Sequence, residues 1–290
     1  IILQYVLFEE KAYFDQYHKK VREDWLDKLK RVGVVDRKTV RFSNSAFIDK
    51  KISSSITKLD AIGEIVEMEY SALKHSLRQV ILTDYVHKEY VVSATKNELA
   101  LKQIGVIPIF ERLRRANQQS IKLGVLTGTI VIIPEQSYAR LQQAILKNGS
   151  NTLKFIPLPY DRRYLICHVD DRSRDQMVYL ITLLLQYGEI EVLIGTKALL
   201  GEGWDAPVIN SLILATVVGA FVSSNQMRGR AIRTTSLDPA KTSNIWHLAC
   251  VDPSVDNGGA DVDLLKRRFR NFVGIAETEE HKIQNGIERL

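Results

Sequence analysis

The sequence is poor in sulfur: among 290 residues there are two cysteines, Cys167 and Cys250, and three methionines. Two thiols cannot build a disulfide framework, so a reducing interior is the expected compartment and a cytoplasmic location follows. Long apolar runs are also missing. The longest, Ser211–Val222, falls well short of the roughly 20 residues that cross a bilayer, which excludes a membrane-spanning helix. The apolar opening residues have no basic flank before them and no small-residue cleavage site after them, so no signal peptide is expected. Ile1 in place of Met predicts a piece of a longer chain. The histidines at 18, 75, 87, 168, 247 and 281 are scattered without metal-ligand spacing, and neither cysteine has a C-x-x-C neighbour. No metal site is expected.

What is present is the composition of a folded globular protein, with 45% hydrophobic and 26% charged residues. Lys and Arg number 40 against 34 Asp and Glu, a net charge of +6 that permits a polyanionic partner without requiring one. The stretch from Glu9 to Arg31 reads as an exposed helix, with Phe14, Tyr17, Val21, Trp25 and Leu29 on one apolar stripe and Gly33 at its C-terminal end. A second helix is expected after Ser53-Ser54-Ser55, with Thr57 and Asp60 in a capping pattern. Residues 1–77 therefore read as a helical segment or connector.

From Arg78 the texture alternates. Short β-like runs stand at Val80–Leu82, Leu123–Ile133, Ile190–Ile194, Leu212–Ala215 and Ile245–Cys250. Helical stretches are expected at Asp84–Tyr90, Ser137–Leu146 and Asp175–Tyr187. This predicts an α/β fold with a parallel sheet covered by helices on both faces, over residues 78–254. Thr152–His168 breaks the alternation and reads as a β-hairpin inserted into it. Residues 255–290 read as a helical extension, with a basic helix around Leu265–Phe272.

Two stretches carry chemistry. The first runs from Ile190 to Pro207: a buried strand ends at Gly195, and a loop with Gly201, Gly203 and Asp205 leaves its carboxyl end, where open α/β sheets bind ligands. Gly203 lets backbone approach a ligand, and Asp205 offers a carboxylate to a ribose hydroxyl. A loop that is Gly- and Asp-rich only in order to turn reads the same way. The second is Gln226-Met-Arg-Gly-Arg-Ala-Ile-Arg233. On a helix, Gln226, Arg230 and Arg233 fall at i, i+4, i+7 and share a face of donors with no acid to pair them, suited to a polyphosphate. The alternative for such a stretch is a solvated basic face.

Taken together in this order, the stretches resemble motifs V and VI of superfamily 2 helicases and translocases. Gln226, Gly229, Arg230 and Arg233 match Q-x-x-G-R-x-x-R, and Gly203-Trp-Asp-Ala-Pro207 resembles motif V, with an interval from Thr196 one residue longer than usual. Val80–Tyr85 and Val125–Thr129 occupy the places of motif IV and of the nucleic-acid-contacting loop after it. The resemblance covers about residues 78–252 and implies a second RecA-like domain that closes over ATP on a first one. It gives Arg230 and Arg233 to the γ-phosphate, Gln226 to orienting the site, Asp205 and Gly203 to the nucleotide, and Thr127, Gly128, Thr196 and Lys197 to a nucleic-acid backbone, DNA favoured over RNA. No G-x-x-x-x-G-K-[ST] and no D-E-x-[HD] occurs, so phosphate cradle and Mg2+ belong to the absent N-terminal RecA-like domain, and this chain is expected not to hydrolyse ATP alone. Two rivals remain: a non-motor nucleotide-binding domain of nucleotide-sugar type, which leaves the paired arginines unexplained, and a nucleic-acid docking module without motor activity.

Overall fold

A computed structural model describes residues 7–8, 16–31, 35–36, 39–40, 56–147, 153–197, 204–216, 221–234, 241–253, 257–270, 272–276 and 283–286. Its described helices are α1 (Gln16–Arg31), α2 (Thr57–Leu73), α3 (Val106–Ala116), α4 (Tyr138–Lys147), α5 (Arg174–Gln186), α6 (Phe221–Ala231) and α7 (Ala260–Phe269). The strands are β1 (Val35–Asp36), β2 (Thr39–Val40), β3 (Gln79–Thr83), β4 (Leu123–Leu126), β5 (Ile130–Pro134), β6 (Ile156–Leu158), β7 (Asp161–His168), β8 (Val192–Thr196), β9 (Ser211–Leu214), β10 (Asn244–His247), β11 (Val273–Ile275) and β12 (Ile283–Asn285). The chain forms two compact units, Ser55–Leu248 and a smaller one from Ile1–Ser54 with Ala249–Leu290.

The larger unit is an α/β fold of RecA-like type, built on an eight-stranded sheet in the order β10-β9-β3-β8-β4-β5-β7-β6. The strands from β10 to β4 are parallel, whereas β5, β7 and β6 each pair antiparallel with their neighbour. The sheet is thus mixed, and the expected hairpin at 152–168 extends it at the edge as β6–β7. The run Leu123–Ile133 is two strands, because Thr127-Gly128-Thr129 turns the chain back; the turn needs no stronger breaker because the Thr127 hydroxyl closes it on Ile130.

Side chains alternate between faces as the strand period of two dictates. Ile81, Val125, Val192, Ile194 and Ile213 face α2 and α3, in a core that also holds Leu59, Ile62, Val66 and Phe110. Val80, Leu82, Leu126, Leu193, Leu212 and Leu214 face the other way, with Met177, Leu180, Ile181, Leu184 and Leu185 of α5 and Met227 and Ala231 of α6. Helix α2 therefore belongs with the sheet, and the compact unit begins near residue 55 where the sequence reading placed its start at 78. Asp84–Tyr90 is a loop with one 3-10 turn at Lys88–Tyr90, and the crossover helix is α3, further on. Helix α2 is capped by the backbone of Ile56, so Thr57 is its first helical residue and not its cap.

Helix α5 shows how sequence fixes an end. Gly188 sits at φ +72, with its N–H on the Leu185 carbonyl and the Glu189 N–H on that of Leu184, the paired closure that a left-handed glycine permits. In the smaller unit α1 spans 16–31, with Val21 and Trp25 of the expected stripe exposed, while residues 9–15 and Gly33 lie outside the described residues. β1 pairs antiparallel with β2, and β11 with β12; the described tail after α7 is thus a two-stranded ribbon within what was expected to be a helical extension.

Candidate functional site

β8 lies on one side of β3 and β9 on the other, so the β8–β9 connection passes from the carboxyl end of β8 across β3 to the amino end of β9. The carboxyl ends of strands at such a switch point are where open α/β sheets hold ligands. The described part of that connection begins at Trp204, which is buried and donates its indole N–H to the Thr182 hydroxyl at 2.7 Å; that hydroxyl donates onward to the Val178 carbonyl at 2.6 Å. Ala206 is also buried, so Asp205 between two inward residues is turned to solvent, with its side chain 58% exposed.

Helix α6 delivers the arginines. Met227 and Ala231, four apart, are its buried anchors; Gln226 is exposed and Arg230 half-buried on the remaining surface. Arg233 does not continue that face. The helix ends at Ala231, and the last turn tightens so that the Arg233 N–H meets the Arg230 carbonyl at 3.3 Å. Leaving the helix carries Arg233 to the β8–β9 connection, where its Nη1 donates to Asp205 Oδ1 at 2.7 Å. The donor-only face expected from the sequence is corrected accordingly: its acid comes from a loop 28 residues away. Both partners are more than half exposed, and an ion pair of this kind contributes about 1 kcal/mol or less, so it exchanges cheaply for another anion or donor. Burial lowers the Arg228 pKa, in keeping with a guanidinium on the inward side of α6.

At the carboxyl edge of the sheet the ends of β3, β8 and β4 line up. Their pairing register sets Thr83 opposite Thr196, and Leu126 opposite Gly195, so Thr127 follows in the same row. Thr83 and Thr127 are fully buried, and Thr196 is nearly so. One residue beyond, Lys197 Nζ pairs with Asp84 Oδ1 at 2.6 Å. Thr127 is 1% exposed and its hydroxyl is spent on the turn, donating to the Ile130 carbonyl at 2.8 Å and accepting the Ile130 N–H at 2.9 Å. Its side chain shapes the loop and does not offer itself to a phosphate. Next to it, Gly128 lies in van der Waals contact range of the Arg174 guanidinium: an added Cβ there would sit 3.4 Å from Nε. Gly203, assigned to the nucleotide, lies outside the described residues.

Sequence reasoning missed Asp84, Arg174 and Lys241 as neighbours of the site. Asp84 sits in a stretch already singled out, whereas Arg174 stands just ahead of the expected helix Asp175–Tyr187; for Lys241 no local signal exists. Asp170 caps the turn before α5, accepting the Ser173 N–H at 2.9 Å. The basic run in α7 is not wholly a solvated face, because Arg268 is buried near Asp261, whose charge opposes the lowering of the Arg268 pKa by burial. Among the described residues no group of His, Cys, Asp and Glu could hold a metal ion, and no helix is long and apolar enough to cross a membrane.

No protein-family model matches the chain, and no curated protein does. Among solved structures, it is similar to the helicase domain of Hef from Pyrococcus furiosus at 16% identity and a TM-score of 0.34, over 80% of this chain and 30% of that one. It is likewise similar to the C-terminal part of the Fun30 ATPase domain at 14% identity and a TM-score of 0.35, over 85% of this chain and 58% of that one. The chain thus spans less than two thirds of either structure, and likenesses this distant carry no argument about function.

Proposed function

We propose that this chain is the second RecA-like half of an ATP-dependent superfamily 2 helicase or translocase. One observation carries the reading: the two stretches that resemble motifs V and VI meet in one ion pair, Asp205 with Arg233. The donor set suits a nucleotide, with guanidiniums for phosphate and a carboxylate for ribose hydroxyls.

In this reading ATP supplies the γ-phosphoryl group, and Mg2+ is held mainly by the N-terminal RecA-like domain. Arg233 trades Asp205 for phosphate oxygens, which costs little because the pair is exposed, and Asp205 is then available to accept from ribose. Arg230 adds a second positive charge one turn back, Gln226 orients the site, and Gly203 is assigned to the nucleotide by the resemblance to motif V. Charge placed in this way is worth about 10³–10⁵ in rate in enzymes that use an arginine finger. Lys197 trades Asp84 for a nucleic-acid phosphate, with Thr196 and the Thr127–Gly128 turn alongside. Contacts of this kind give affinity without sequence readout.

The test is nucleic-acid-stimulated ATP turnover by the full-length protein. Replacing Arg233 by Ala is expected to lower it by about 10³-fold or more, whereas this chain by itself turns over no ATP. Turnover by the isolated chain that survives purification and disappears with Arg233→Ala would contradict the assignment of the phosphate cradle to another domain.

A further inference from the structure

We propose that Lys241, a residue with no place in either motif, is the positioning residue that holds Arg233 and Asp205 in register; this rests on the assignment of Arg233 above. Lys241 Nζ lies 2.5 Å from the Pro207 carbonyl, 2.8 Å from that of Ala231 and 2.8 Å from that of Arg233. An ammonium has three protons and accepts nothing, so three carbonyls match its donors in number. A lysine so committed is not a spare cation for a phosphate.

The choice of carbonyls gives the role. Ala231 ends α6, Arg233 is the proposed finger, and Pro207 follows Asp205 by two residues. One side chain thereby ties together the backbones that carry both members of the Asp205–Arg233 pair. Ser243 reinforces the joint: its hydroxyl lies 2.6 Å from the Ala231 carbonyl and 3.1 Å from that of Ile209.

A lysine serving only to cap a helix would satisfy the orphan carbonyls of that helix and the negative end of its dipole. Lys241 does this and also reaches across to Pro207 on the β8–β9 connection. Arg233 itself is more than half exposed, with a long side chain whose reach is set by where its backbone is held. A misplacement of about 1 Å costs on the order of 10²-fold in rate.

The experiment uses the full-length protein and the variants Lys241→Met, Lys241→Arg, Arg233→Ala and Lys241→Met with Arg233→Ala. Amide hydrogen exchange reads the clamp without ATP. In Lys241→Met, exchange is expected to quicken together in 205–209 and 230–234, by about 10-fold for the loss of one to two hydrogen bonds, and to stay unchanged in α5. Turnover should fall by about 10²-fold with KM for ATP within about 3-fold. In the Arg233→Ala background the same change should add less than about 2-fold, since both act through one guanidinium. Lys241→Arg should restore only part, because a planar fork does not converge on three carbonyls as an ammonium does.

Unchanged exchange in either segment overturns the clamp. A turnover loss that is fully additive with Arg233→Ala overturns positioning, since Lys241 would then act elsewhere. Near-parental turnover of Arg233→Ala alone defeats the reading of that arginine and the positioning role with it, a failure told apart because exchange still decides the clamp.

Discussion

Two sets of charged groups in the larger unit are built differently. At the amino edge, carboxylates are buried and pin strand starts. Glu69, 3% exposed, accepts from the Ser211 hydroxyl at 2.9 Å, the Asn244 amide at 3.1 Å and the Trp246 indole at 2.6 Å, joining α2 to β9 and β10. Glu191, 1% exposed, takes the Lys122 N–H at 2.9 Å, with His75 Nδ1 at 2.7 Å on its other oxygen. Beyond them Arg114 grips both oxygens of the fully buried Glu111 and reaches Asp161 at 3.0 Å. Asp205–Arg233, where Lys241 and Ser243 ahead of β10 bind the end of α6, and Asp84–Lys197, just past the carboxyl ends of β3 and β8, are instead ion pairs with at least one exposed member. The contrast separates buried charge that holds the fold from charge exposed enough to change partners.

Substitutions can break that contrast. The largest stability effect is expected at the amino edge: Glu69→Ala strands three donors and should cost about 3 kcal/mol, read as a shifted denaturant midpoint. A loss below about 1 kcal/mol would mean these bonds are not structural.

Asp161 sharpens the same side through pH. Burial works to raise its pKa, but its bonds to Arg163 and Arg114 outweigh that and hold it below the ordinary carboxylate value. The folded-state pKa being depressed, this stabilisation is present above the unfolded value and is lost as pH falls through the folded one. Asp161→Asn should cost about 1–2 kcal/mol near neutral pH and flatten the acid limb of the stability curve. An unchanged acid limb would contradict the pairing.

At the two exposed pairs stability effects should be small. Lys197→Ala should lower the slope of log affinity for nucleic acid against log salt by about 1, with melting nearly unchanged. An unaltered slope removes Lys197 from the track. Asp205→Ala should change stability by no more than about 0.5 kcal/mol, the smallest effect of the set; a loss of several times that would make the pair a structural one.

How much of this was legible in the sequence depends on how local the cause is. Helix α5 was readable because Met177, Leu180, Ile181, Leu184 and Leu185 repeat on one face and are all buried. Helix α3 was not: Val106-Ile-Pro-Ile-Phe110 reads as an apolar run, and Pro108 as a breaker, yet in a first turn no intrahelical N–H bond is lost. The β4–β5 turn was hidden in a continuous apolar run because a threonine side chain, and not a glycine-proline signal, closes it. At the site, the stretches holding Asp205, Gln226, Arg230 and Arg233 stood out by residue type and spacing, and of these the structure joins Asp205 to Arg233. The departure of Arg233 from the helical face was not, because the end of α6 is bound by Lys241 and Ser243 from beyond it.

The central claim is that Arg233 is placed for chemistry and not for stability, and the most direct measurement is turnover set against melting in one conservative variant. Arg233→Lys keeps the charge and loses the planar fork that bridges two oxygens. In the full-length protein its melting temperature is predicted to match the parent's, while nucleic-acid-stimulated ATP turnover falls by about 10³-fold and ATP affinity changes far less. A well-folded Arg233→Lys protein with near-parental turnover would contradict the account.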